Sequence, residues 1–97
     1  MTIRQLRRRI DALDRKLVKL LSKRARCSLA IGRLKRAAGW SLFHRQREQD
    51  ISRNVRRANS GPLSDSAVDH LFAEILRMTR AAVRAELRRR APGRARK

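Results

Sequence analysis

The most telling residue of this chain is a cation standing where an apolar residue belongs. From Leu6 the sequence repeats apolar residues at alternating steps of four and three, through Ile10, Leu13, Leu17, Leu20, Cys27, Ile31 and Leu34, and the place between Leu20 and Cys27 is taken by Arg24. A guanidinium cannot shed its charge, so on the buried face of a helix it is costly unless an anion meets it. Lys35 follows eleven residues later, about 16 Å along a helix and at almost the same angular position, so both cations can face one cavity. Further on, stepping back by three from Ile51 puts Glu48 on an inner helical face, with Arg47 beside it, and Thr79 interrupts a later apolar stripe. Two cations, an acceptor and a hydroxyl donor are the polar types that orient a small ligand in an otherwise apolar pocket, and the balance favours an anion. Arg7 is different: it lies about 25 Å along the same helix from Arg24 and is rotated roughly 100° from it. It cannot join that pocket in its own chain, but an antiparallel partner could bring it there.

Taken singly, each residue also has an ordinary structural reading. Arg24 can snorkel to solvent on its long stem, and Lys35 and Arg47 can be plain surface charge in so basic a chain. Glu48 can pair with a neighbouring arginine, and Thr79 can bond back to its own helix.

The elements that must position these groups are helical. The seam runs from Ile3 to about Ala38 with no proline, and no glycine before Gly32. This spacing predicts one helix of roughly 35 residues, about 50 Å long. A compact chain of this length has a diameter of only about 32 Å, so such a helix protrudes from any monomer and its stripe needs another chain. An intertwined homodimer is the expected assembly. Gly39 ends the helix as a C-cap, and a short second helix is expected from about His44 to the Asn59-Ser60-Gly61-Pro62 turn. Ser64 then caps a third helix whose stripe is Val68, Leu71, Phe72, Ile75, Leu76, Ala82 and Val83. The fold class is therefore all-α, with a helical domain over residues 1–87 and a basic flexible tail over 88–97.

Composition narrows the partners. The chain has 27 Lys+Arg against 8 Asp+Glu, a formal charge of +19, which favours anionic partners of some kind. A single cysteine excludes an intrachain disulfide, and the seam position of Cys27 suits a small buried hydrophobe in a reducing cytoplasm. No stretch reads as a signal peptide or a membrane span, and no ligand spacing reads as a metal site. Arg8, Arg9, Arg33, Arg36, Arg56, Arg57 and the tail could form a phosphate-binding surface. With only one Trp and two Phe and no reading motif, specific nucleic-acid binding is the weaker reading.

In order and spacing, the pattern resembles a known family. The string LRRRIDALDRKLVKLLSKRARCSLAIGRLK (Leu6 to Lys35), then Arg47-Glu48, then GPLSDSAVDHLFAEI (Gly61 to Ile75), is similar to the all-helical chorismate mutases over about residues 5 to 83. The resemblance implies an intertwined dimer of three-helix chains, acting without metal or cofactor on chorismate. The implied reaction is the rearrangement to prephenate, the branch step toward phenylalanine and tyrosine. It further implies that Arg7 enters the partner's site and that Arg24 and Arg47 bind carboxylates. By the same resemblance Lys35 touches a carboxylate and the ether oxygen, Glu48 accepts from the ring hydroxyl, and Thr79 binds a carboxylate.

Two positions depart from the family. Val83 stands where a Gln or Glu usually donates to the ether oxygen, which implies a slow mutase, or a site completed by another residue or an activating partner enzyme. His44 stands where Asp is frequent, a milder change because that position can act through its backbone N–H. Pyruvate elimination from isochorismate, or rearrangement of the amino analogue of chorismate, are alternatives on the same scaffold.

Overall fold

In the computed structural model of the chain the described residues are 1–89. They form α1 (Ile3–Ala38), α2 (Arg45–Ala58) and α3 (Asp65–Arg89), with no strand among them. Helix ends follow the local chemistry of the sequence. At the start of α1 the Thr2 hydroxyl accepts from the Gln5 backbone N–H (3.1 Å), while the Gln5 side chain accepts from the Thr2 N–H (2.8 Å), a reciprocal capping box. At its end Gly39 adopts φ 74°, and the Trp40 N–H reaches back to the Lys35 carbonyl at 2.8 Å. That left-handed turn is open to glycine without a Cβ penalty. Ser64 Oγ accepts from the Ala67 N–H at 3.0 Å and so caps α3.

α3 is the spine: α1 and α2 each pack on it rather than on each other. Ile51 of α2 and Ile75, Val83 and Leu87 of α3 form the buried apolar core. The α2–α3 contact is also tied by Asp69, which accepts from Ser52 Oγ at 2.9 Å and Arg56 Nε at 2.6 Å. α3 runs past the expected tail boundary, because Leu87 is anchored at 4 % exposure and Arg89 pairs with Glu86 one turn back. Arg88 and Arg89 are thus helical, and the rest of the basic tail, residues 90–97, lies outside the described residues.

The molecule measures 62 × 29 × 15 Å with a radius of gyration of 17.4 Å, against about 12.5 Å for a compact chain of this length. The N-terminal half of α1 accounts for this elongation. Ile3, Leu6, Ile10, Leu13, Leu17 and Leu20 are all exposed along it, and so is Cys27. The seam position expected to bury the thiol is therefore open in the single chain, at the edge of the opening that the three helices share. Among the described residues no helix is long and apolar enough to cross a membrane.

Candidate active site

A cleft of about 230 Å³ opens where the three helices meet. α1 brings Arg24, Ser28, Gly32 and Lys35 to it, α2 brings Arg47 and Glu48, and α3 brings Thr79, Arg80 and Val83. Arg24 and Lys35 reach the same opening because eleven residues return almost to the same face of a helix. The cleft narrows at Gly32, which is buried: a Cβ there would lie 2.7 Å from Val83 Cγ1, with Leu87 and Leu42 just beyond. The missing side chain lets α1 approach α3 closely and leaves an apolar floor beneath the cations.

Each polar group has a definite setting. Lys35 Nζ donates to the Leu42 carbonyl at 3.3 Å, which holds the ammonium against the α1–α2 connection with two of its three protons uncommitted. Arg24 is half-buried, and among the described residues neither it nor Arg47 has a side-chain acceptor. His44 is the N-cap of α2, its Nδ1 accepting from the Arg47 N–H at 3.0 Å, and its own ring lines the cleft. Here the ring nitrogen caps the helix as a carboxylate would. Thr79 lines the cleft while its hydroxyl donates to the Ile75 carbonyl of its own helix at 2.6 Å. Glu48 accepts a charged hydrogen bond from Arg80. Val83 also lines the cleft, and its isopropyl group, 7 % exposed, has nothing to donate.

Of the residues singled out in the sequence, seven therefore meet at one opening: Arg24, Lys35, His44, Arg47, Glu48, Thr79 and Val83. Arg7 does not; it lies exposed on the protruding half of α1, away from the cleft of its own chain. Arg80 was missed. It lies four residues after Leu76 and three before Val83, on the stripe that ends at Leu87, so it interrupts α3's apolar face as Arg24 interrupts α1's. Its guanidinium rests 5.6 Å from the centre of the Phe43 ring, a cation–π distance.

Chemically, the opening presents Arg24, Lys35, Arg47 and Arg80 against one carboxylate, Glu48. A small molecule with more than one anionic group fits that balance. Among the described residues no group of three or more His, Cys, Asp or Glu side chains could hold a metal.

Residues 6–84 match the family described as chorismate mutase type II. The chain is 39% identical over 79 residues to a bifunctional chorismate mutase/prephenate dehydratase of Pseudomonas aeruginosa, and 36% identical over 80 residues to that of Stutzerimonas stutzeri. Each match takes in 76% of this chain but 22% of the relative, so the chain spans about a fifth of the length of these curated relatives. Among solved structures it is similar to the chorismate mutase of Thermus thermophilus. Form II of that protein has a TM-score of 0.82 at 30% identity, over 84% of this chain and 93% of that one. Form I has a TM-score of 0.77 at 32% identity, over 79% and 96%.

Proposed function

The chain belongs to the type II chorismate mutase family, and on that premise we propose that it converts chorismate to prephenate as a homodimer. The observation that carries this reading is the convergence of Arg24, Lys35 and Arg47 on one cleft with Glu48. Chorismate is a dicarboxylate whose enolpyruvyl arm must fold over the ring before it reacts. Cations fixed on two rigid helices can hold both carboxylates in that folded shape, which removes orientational freedom before the barrier is met. In the rearrangement the ether C–O bond breaks as a new C–C bond forms, and every atom of the substrate is kept. Negative charge grows on the departing ether oxygen. The Lys35 ammonium, already tethered through the Leu42 carbonyl, is the donor suited to meet it.

In this reading Arg24 and Arg47 bind carboxylates and Glu48 accepts from the ring hydroxyl. Thr79 serves a carboxylate once its hydroxyl turns from Ile75, and His44 keeps Arg47 in place through the α2 cap. Arg7 of a second copy closes the site. The uncovered α1 seam supports that assembly, because a stripe with Leu13 at 56 %, Leu17 at 57 % and Leu34 at 72 % exposure is stable in water only when paired. Incubating the purified chain with chorismate and following prephenate formation tests the proposal; a rate equal to the uncatalysed one refutes it.

A further inference from the structure

The Glu48–Arg80 pair has no counterpart in the roles described so far. Arg80 donates to one carboxylate oxygen of Glu48, and the pair stands between two hollows, the cleft of about 230 Å³ and a second of about 480 Å³ bounded by Ser52, Asp69 and Phe72. Both partners are about one-third exposed, so the pair is half-screened rather than surface ornament. Phe43 supports the guanidinium from the α1–α2 connection, and α3 fixes its stem one residue from Thr79.

We propose that Arg80 is a specificity-determining residue that makes Glu48 an acceptor for a neutral hydroxyl and sets the site against an ammonium in the same place. The inference rests on the chorismate reading above. An isolated carboxylate attracts an ammonium more strongly than a hydroxyl, because the charge pair adds to the hydrogen bond. A carboxylate already neutralised by a guanidinium loses that preference. Its second oxygen still accepts from an O–H, while a substrate ammonium brought to that oxygen meets the Arg80 charge at close range. The amino analogue of chorismate, 4-amino-4-deoxychorismate, differs from chorismate at the ring substituent assigned to Glu48. Arg80 therefore disfavours it. Val83 and Thr79 do not supply this discrimination, since one is apolar and the other bonds to its own helix.

The test compares chorismate with 4-amino-4-deoxychorismate, by calorimetric binding and by kcat/KM, in the full chain and in R80M, R80Q and R80K. R80M keeps an apolar stem over Phe43, R80Q keeps a polar one, and R80K keeps the charge; circular dichroism checks the helices of each. In R80M and R80Q the preference for chorismate should fall by about tenfold or more, and in R80K it should persist. An unchanged preference in the neutral variants, with both ligands weakened alike, overturns the proposal. If the wild-type chain binds the two compounds without converting chorismate, the mutase reading fails while the binding ratio still decides the role of Arg80. Binding of neither compound overturns both.

Discussion

Gly32 of α1 and Val83 of α3 meet at the floor of the cleft so closely that a Cβ on residue 32 would lie 2.7 Å from Val83 Cγ1. Lys35 stands one turn further along α1, so the spacing of the two helices at this contact sets where its ammonium lies relative to α3. Stability and site geometry are coupled there.

Replacing Gly32 with alanine should accordingly cost stability. Alanine gains about 1 kcal/mol of helix propensity over glycine, while forcing a methyl into a packed contact costs about 1–3 kcal/mol. A net loss of about 1 kcal/mol is expected, together with a lower kcat/KM. The double variant G32A/V83A should be less destabilised than the sum of its parts, because the clash partner is gone. Urea unfolding of the four proteins checks this; additive losses would mean that the two residues do not press on each other.

By the family resemblance of the sequence, Val83 stands where a donor is expected. Val83→Gln should raise kcat about tenfold or more by returning a hydrogen bond to the ether oxygen, and should lower stability by about 1 kcal/mol as a packed isopropyl group is lost. Steady-state kinetics with a melting curve reads both. An unchanged or lower rate would mean that the ether oxygen is served from elsewhere.

The proposal that Arg7 of a second copy completes the site makes a distinctive mixing prediction. R7A and R24A chains should each be nearly inactive as homodimers. In a mixed dimer one site keeps its own Arg24 and receives an intact Arg7 from the partner. Unfolding and refolding an equal mixture should therefore restore roughly a quarter of wild-type activity. No recovery, or a monomer in sedimentation, would exclude an Arg7 supplied across the dimer.

Acid should loosen α2 from α3. Arg56 and then Ser52, both bonded to Asp69, hold its carboxyl below the usual carboxylate range. The folded pKa is the lower one, so this contribution is present above about pH 4 and is lost as pH falls through the depressed value. Between pH 5 and pH 2.5 the wild-type chain should lose more stability than D69N, as measured by urea midpoints. Parallel losses would remove Asp69 from the acid response.

The helices were largely legible because their signals are local: an unbroken apolar period, Gly39 after it, and Ser64 ahead of Asp65. The convergence of Arg24 and Lys35 was legible for the same reason, since both lie on one helix and simple rotation relates them. Contacts across helices were not. Glu48 and Arg80 are 32 positions apart, and only the packing of α2 on α3 joins them. Arg80 nevertheless carries the same mark as Arg24, a cation in an apolar stripe, four residues after Leu76 and three before Val83, and is masked by the arginines that flank it in so basic a chain. Cys27, at a seam position that the expected dimer would cover, is exposed in the single chain. Gly32 was visible only as a helix glycine, and its purpose depends on an interhelical distance that sequence does not carry.

The most direct test of the account follows chorismate and prephenate together in the presence of the wild-type chain and of R24A, with circular dichroism on both. The wild-type chain should convert chorismate to an equal amount of prephenate well above the uncatalysed rate, and R24A should retain its helices while losing nearly all of that activity. Full activity in R24A, or no acceleration by the wild-type chain, would contradict the claim that this cluster of cations holds a folding dicarboxylate.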